Sequence, residues 1–161
     1  MKACNYIVNL QSMSLLYNRQ GFVIYYTQKY HKLIWELESE SNFEFNRLDV
    51  CTPRADGAQS GYAKFFGFYK NFVDYELKIY LYVNRSITDK NCFLFQKKTP
   101  LPMYLLIGKG EDPSDFMNTL AHQIRQKEGV QIVSPVDFGE KKELTELIYT
   151  ANQIIYAKKY V

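Results

Sequence analysis

At 161 residues the chain is long enough for one well-buried core and short for two. Its 47% hydrophobic and 23% charged residues place it in the globular range and exclude the weakly hydrophobic, highly charged regime of disordered chains. The net charge of +3 is spread over both halves, which excludes a basic tail or arm of the kind that marks many nucleic-acid binders.

The first predicted element is a strand over 5–10. Asn5, Asn9, Gln11 and Ser12 interrupt the apolar residues around it, so the start is a poor signal peptide. A strand over 22–27 follows, then a helix over 29–40, where Tyr30, Leu33, Ile34 and Leu37 recur at i, i+3, i+4 and i+7. Residues 43–50 read as a strand. The stretch Thr52 to Gly61 gathers Pro, Asp, Ser and two Gly into an exposed loop, with Arg54, Asp56 and Gln59 offered to solvent. Strands are then expected at 62–70 and 75–83.

In the latter, Tyr75, Leu77, Ile79, Leu81 and Val83 alternate with Glu76, Lys78, Tyr80 and Tyr82. Strict period two with one greasy face predicts an antiparallel sheet covered on one side, with Lys78, Tyr80 and Tyr82 facing outward. After a weaker strand at 92–96, residues 102–107 read as a central strand buried on both faces. Asp112 is then positioned to cap a helix that opens with Pro113, buries Phe116, Met117, Leu120 and Ile124, and stops at Gly129. A strand over 130–133 and a helix over 142–156 complete the layout.

The implied architecture is one α+β domain over 1–161: a mostly antiparallel sheet of about six to seven strands with three helices packed mainly on one face. Cys4, Cys51 and Cys92 are odd in number and form no C-x-x-C pair, which argues against a disulfide framework or zinc ribbon and fits a reducing, cytoplasmic setting. The longest apolar run, Met103 to Ile107, is far below the roughly 20 residues of a membrane helix, so no membrane association is expected.

Most chemical motifs have ordinary readings. Gly108-Lys109-Gly110 sits between a strand and a helix, as phosphate loops do. The G-x-x-x-x-G-K-[ST] spacing is missing, however, and Glu111, Asp112 and Asp115 already occupy the helix start. His31 and His122 lie at no metal-ligand spacing, and Glu36, Glu38, Glu40 and Glu44 read as a solvated acidic surface. A Cys51–His nucleophilic pair has no supporting motif. No cofactor or metal is expected.

The aromatic content is unusual: 16%, with 14 Tyr and 11 Phe against one Trp. Such residues favour strands and can stack on bases or anchor a protein partner. In the stretch from Tyr62 to Lys70, the residues Lys64, Phe66, Gly67 and Phe68 match part of the pattern by which RNA-recognition motifs display aromatics. The spacing to the first strand and the strand that follows do not fit that fold. Lys64, Lys70 and Lys78, with Tyr80 and Tyr82, are the candidate binding platform.

A second pattern is Phe45-Asn-Arg-Leu-Asp-Val50, then Lys64-Phe-Phe-Gly67, then Leu77-Lys-Ile-Tyr80. In order, these strings resemble segments of rolling-circle plasmid replication initiators. The resemblance implies a metal held near Asp49 and Tyr80 as nucleophile. Cys51-Thr52-Pro53 stands where a second acid is expected, the Lys after the Tyr is absent, and 102–107 has no Glu, so the resemblance carries no family assignment.

The leading expectation is therefore a non-catalytic binding or accessory protein, acting on a protein partner through its aromatic sheet face or its exposed loop. The alternative is a nucleic-acid-binding module using the Lys/Tyr/Phe platform. A third reading is an enzyme whose residues converge only in space.

Overall fold

A computed structural model describes residues 18–41, 44–53, 62–88, 94 and 100–136. The strand expected at 5–10, the helix expected at 142–156 and the loop residues Arg54, Asp56 and Gln59 lie outside them. So does the strand expected at 92–96, save for Leu94.

Strand β1 (Asn18–Tyr26) leads through a short turn into helix α1 (Tyr30–Ser41), close to the span its apolar spacing predicts. The single strand expected over 43–50 is broken into β2 (Asn46–Arg47) and β3 (Val50–Pro53), and the one expected over 62–70 into β4 (Tyr62–Phe65) and β5 (Gly67–Phe72). A 3-10 turn (Val73–Tyr75) then leads to β6 (Leu77–Val83), with Glu76 in the left-handed region at φ 48°. Strand β7 (Tyr104–Gly110), helix α2 (Ser114–Arg125) and strand β8 (Val130–Val136) follow.

Six strands form one sheet in the order β2-β5-β6-β7-β1-β8, with every neighbouring pair antiparallel. The α+β class and the mostly antiparallel sheet thus agree with the sequence reading. Among the described residues there are two α-helices, not three.

Both helices cover the same face. Leu33, Ile34 and Leu37 of α1 and Met117, Leu120, Ala121 and Ile124 of α2 pack with Phe22, Ile24, Leu77, Ile79, Leu81, Tyr104 and Leu106 of the sheet. Helix α2 comes unusually close. A Cβ on Gly108 would lie 2.4 Å from Met117 Sδ, so this glycine of the Gly-Lys-Gly string serves helix–strand packing. Pro113, not Asp112, takes the N-cap position of α2, without a side-chain cap bond.

The opposite face is also covered. Strands β3 and β4 pair as a separate two-stranded sheet whose Val50, Ala63 and Phe65, with Leu48, pack on Val23, Tyr80, Tyr82, Leu105 and Ile107. Gly67 lets this layer approach: a Cβ there would stand 2.2 Å from the Leu48 carbonyl oxygen and 3.0 Å from the Tyr82 ring. The expected one-sided sheet is therefore a three-layer arrangement of helices, sheet and hairpin.

Candidate functional site

The second layer decides the fate of the expected binding platform. Tyr80 and Tyr82 are 0% exposed. Their rings stack on each other at 6.1 Å and 5°, and burial drives both hydroxyl pKa values upward. They are interior side chains and cannot stack on a ligand from solvent. The lysines are dispersed as well. Lys78 shares the hairpin-side face with Tyr80. Lys70 sits opposite Ile79, on the helix-covered face, and Lys64 lies on the hairpin itself, pointing outward at 3.5 Å from Asp49. The platform of Lys64, Lys70, Lys78, Tyr80 and Tyr82 does not exist as one surface.

The same burial removes Tyr80 as a nucleophile. Asp49 is occupied too: Arg47 donates to it through Nε at 3.0 Å and Nη2 at 3.2 Å, while the guanidinium lies 4.5 Å above the Phe66 ring. Burial pushes the Asp49 carboxyl up, but Arg47 and Lys64 together outweigh it and hold the group below the usual carboxylate range. No group of three or more His, Cys, Asp or Glu suited to a metal occurs among the described residues. The acidic residues of α1 are engaged in structural contacts. Glu36 lies 3.8 Å from Lys32, Glu38 accepts from the Phe45 amide at 2.9 Å, and Glu40 pairs with Lys127.

What the fold does assemble is a cleft of about 490 Å³ between the end of β1 and the outer side of α1, lined by Thr27, Gln28, Lys29, His31, Lys32 and Trp35. Its floor is fixed. The Thr27 amide and hydroxyl both donate to the Gly129 carbonyl, at 3.0 and 3.2 Å, and Gly129 adopts φ 86° with Gln28 packed against it. Lys32 bonds Glu128 at 3.2 Å, which raises the pKa of its ammonium and ties the helix to the turn before β8. His31 meets the Tyr30 ring edge-on at 5.5 Å, and Tyr30 stacks on Phe66 at 5.3 Å. The Tyr104 hydroxyl donates to the Tyr30 carbonyl.

Comparison with family models, curated proteins and solved structures finds no match for this chain.

Trp35 is the conspicuous member of the cleft. It is the chain's single tryptophan and is 65% exposed. The helix spacing holds the signal that finds it: position 35 falls off the Tyr30/Leu33/Ile34/Leu37 stripe, so a register that buries the stripe turns the indole outward. The arrangement offers a broad apolar ring beside Lys29, with Lys32 already neutralised by Glu128 and Glu36.

Proposed function

We propose that the protein is a non-catalytic binding protein that docks a protein partner at the Trp35 cleft. One observation carries the reading: an indole two-thirds exposed beside an open surface depression whose lining residue Thr27 is hydrogen-bonded to Gly129. Tryptophan is enriched among interface hot spots, because a large rigid ring gains contact area at little entropic cost. The sheet face first favoured for this role is covered, so the recognition surface moves to α1.

The test uses Trp35 as both probe and target. Partners captured from the source cells by the wild-type protein should be lost with Trp35→Ala, while the thermal midpoint of the variant stays near wild type, because an exposed side chain contributes within about 0.5 kcal/mol of stability. The purified partner should shift the wild-type tryptophan emission to the blue as the indole leaves water. Equal capture by Trp35→Ala, or emission unmoved by a bound partner, refutes this docking site.

A further inference from the structure

Strand β8 ends the main sheet, with β1 on its inner side and, among the described residues, no strand on its outer side. An open edge offers its amides and carbonyls to any extended chain. The register fixes which groups β8 turns outward. The Ile24 carbonyl accepts from the Met103 amide at 2.8 Å, so the backbone polar groups of Ile24 face β7. Residues directly opposite in an antiparallel pair exchange both bonds or neither. Ile24 lies opposite Val133, so Val133 directs its amide and carbonyl away from β1, into the open edge. Pro135 faces the same way by strand alternation and has no N–H to offer. The other outward groups are occupied. Arg125, the last residue of α2, donates through Nη2 to the Val133 carbonyl at 3.1 Å. The Val130 amide donates to the Lys127 carbonyl at 3.2 Å. A register shift between Tyr25 and Tyr26 also leaves Gln131 opposite no residue of β1, and such a bulge disturbs the regular ladder that an added strand needs.

We propose that Arg125 guards this edge, keeping β8 from pairing with the β8 of a second copy of the chain. A basic residue in the last turn of a helix ordinarily serves the carbonyls of its own helix end. Arg125 instead reaches a strand eight residues on, and the carbonyl it takes is one that faces outward. Symmetry names the partner that this excludes. Two copies of one strand can pair antiparallel about a two-fold axis. With the axis at Val133, each Val133 amide would donate to the other copy's Val133 carbonyl, the acceptor that the guanidinium now holds. Ile132, 56% exposed, would then lie against the second strand and lose water contact. Pro135 removes a donor from the same ladder, so Arg125 and Pro135 block different bonds of one pairing surface. Trp35 takes no part in it.

Sedimentation velocity of the purified full chain, over about a hundredfold range of concentration, tests the assignment. Arg125→Ala should self-associate about tenfold or more tightly than wild type, while Arg125→Lys, which keeps a donor, should stay closer to wild type. Pro135→Val restores the missing N–H and, added to Arg125→Ala, should strengthen association further. Ile132→Lys in either associating variant should return it to monomer, because two copies pairing through β8 would bring their edge lysines together. Adding Trp35→Ala should change nothing. Arg125 is exposed, so Arg125→Ala should keep the wild-type thermal midpoint. If Pro135→Val impairs folding, Arg125→Ala alone decides. The proposal is overturned if Arg125→Ala associates no more tightly than wild type, or if its association survives Ile132→Lys. It is overturned equally if wild type itself associates and Ile132→Lys disperses it, since the edge would then be open despite Arg125. A large fall in the midpoint of Arg125→Ala would make the bond a structural prop and overturn it as well.

Discussion

Tyr82 carries a hydroxyl into a fully buried position where, among the described residues, it has no hydrogen-bond partner. A buried unpartnered hydroxyl costs about 1–3 kcal/mol of desolvation, and the side chains of the layer above it, Leu48, Val50, Ala63 and Phe65, are all apolar. Tyr82→Phe keeps the ring, its stacking on Tyr80 and its cover over Gly67 while deleting the unsatisfied oxygen. The variant should therefore be more stable by about 1 kcal/mol in urea denaturation. A recognition tyrosine would behave differently: its loss would leave stability unchanged and weaken binding. A stability gain from Tyr82→Phe thus marks the residue as core.

At the scale of elements, helix α1 and the apolar side of β6 were legible, because each depends on periodicity within one contiguous segment. The cover on the other side of β6 was not, because it is built from β3 and β4, residues far from β6 in sequence. Lys78, Tyr80 and Tyr82 read as an outer face because tyrosine carries a polar tip, and pattern alone does not separate a wet tyrosine from a buried one. A clue was nevertheless present. Tyr104 to Ile107 is apolar at every position, which requires cover on both faces of the sheet, and β6 is the direct neighbour of that strand. The breaks within 43–50 and 62–70 follow from the same event. The chain leaves the main sheet near Leu48 and returns at Gly67, where the Leu48 amide donates to the Gly67 carbonyl at 2.7 Å. The Trp35 cleft was only half legible: Trp35 lies off the helix stripe, but Gly129 and Glu128, which hold Thr27 and Lys32, are distant in sequence. If the hairpin is a true core layer, Phe65→Ala should cost about 3–5 kcal/mol, the range for a buried phenylalanine. It should also raise the accessibility of Tyr80 and Tyr82 to a tyrosine-modifying reagent. A loss under 1 kcal/mol would mean that the hairpin rests on the sheet without contributing to its stability.

The whole molecule should show an alkaline stability profile with two slopes of opposite sign. Lys109 has its folded pKa lowered to about 8, against about 10.4 in an unfolded chain. Below pH 8 the ammonium is charged in both states and destabilises the fold. Between pH 8 and 10 the native state releases its proton first, the unfolded state binds more protons, and stability rises with pH. The group is only partly buried, so screening reduces the gain to the order of 1 kcal/mol. Tyr80, Tyr82 and Tyr104 act in the opposite sense. Burial raises all three hydroxyls above the usual tyrosine value, so above about pH 10 the unfolded chain ionises while the native one keeps its protons. Three retained protons give a fall approaching about 4 kcal/mol per pH unit. Urea midpoints measured from pH 7 to 11 should therefore climb gently and then drop steeply, and Lys109→Met should abolish the climb while leaving the drop. A drop that begins near pH 8 would contradict the burial of the tyrosines, and a climb that persists in Lys109→Met would assign it to a different group.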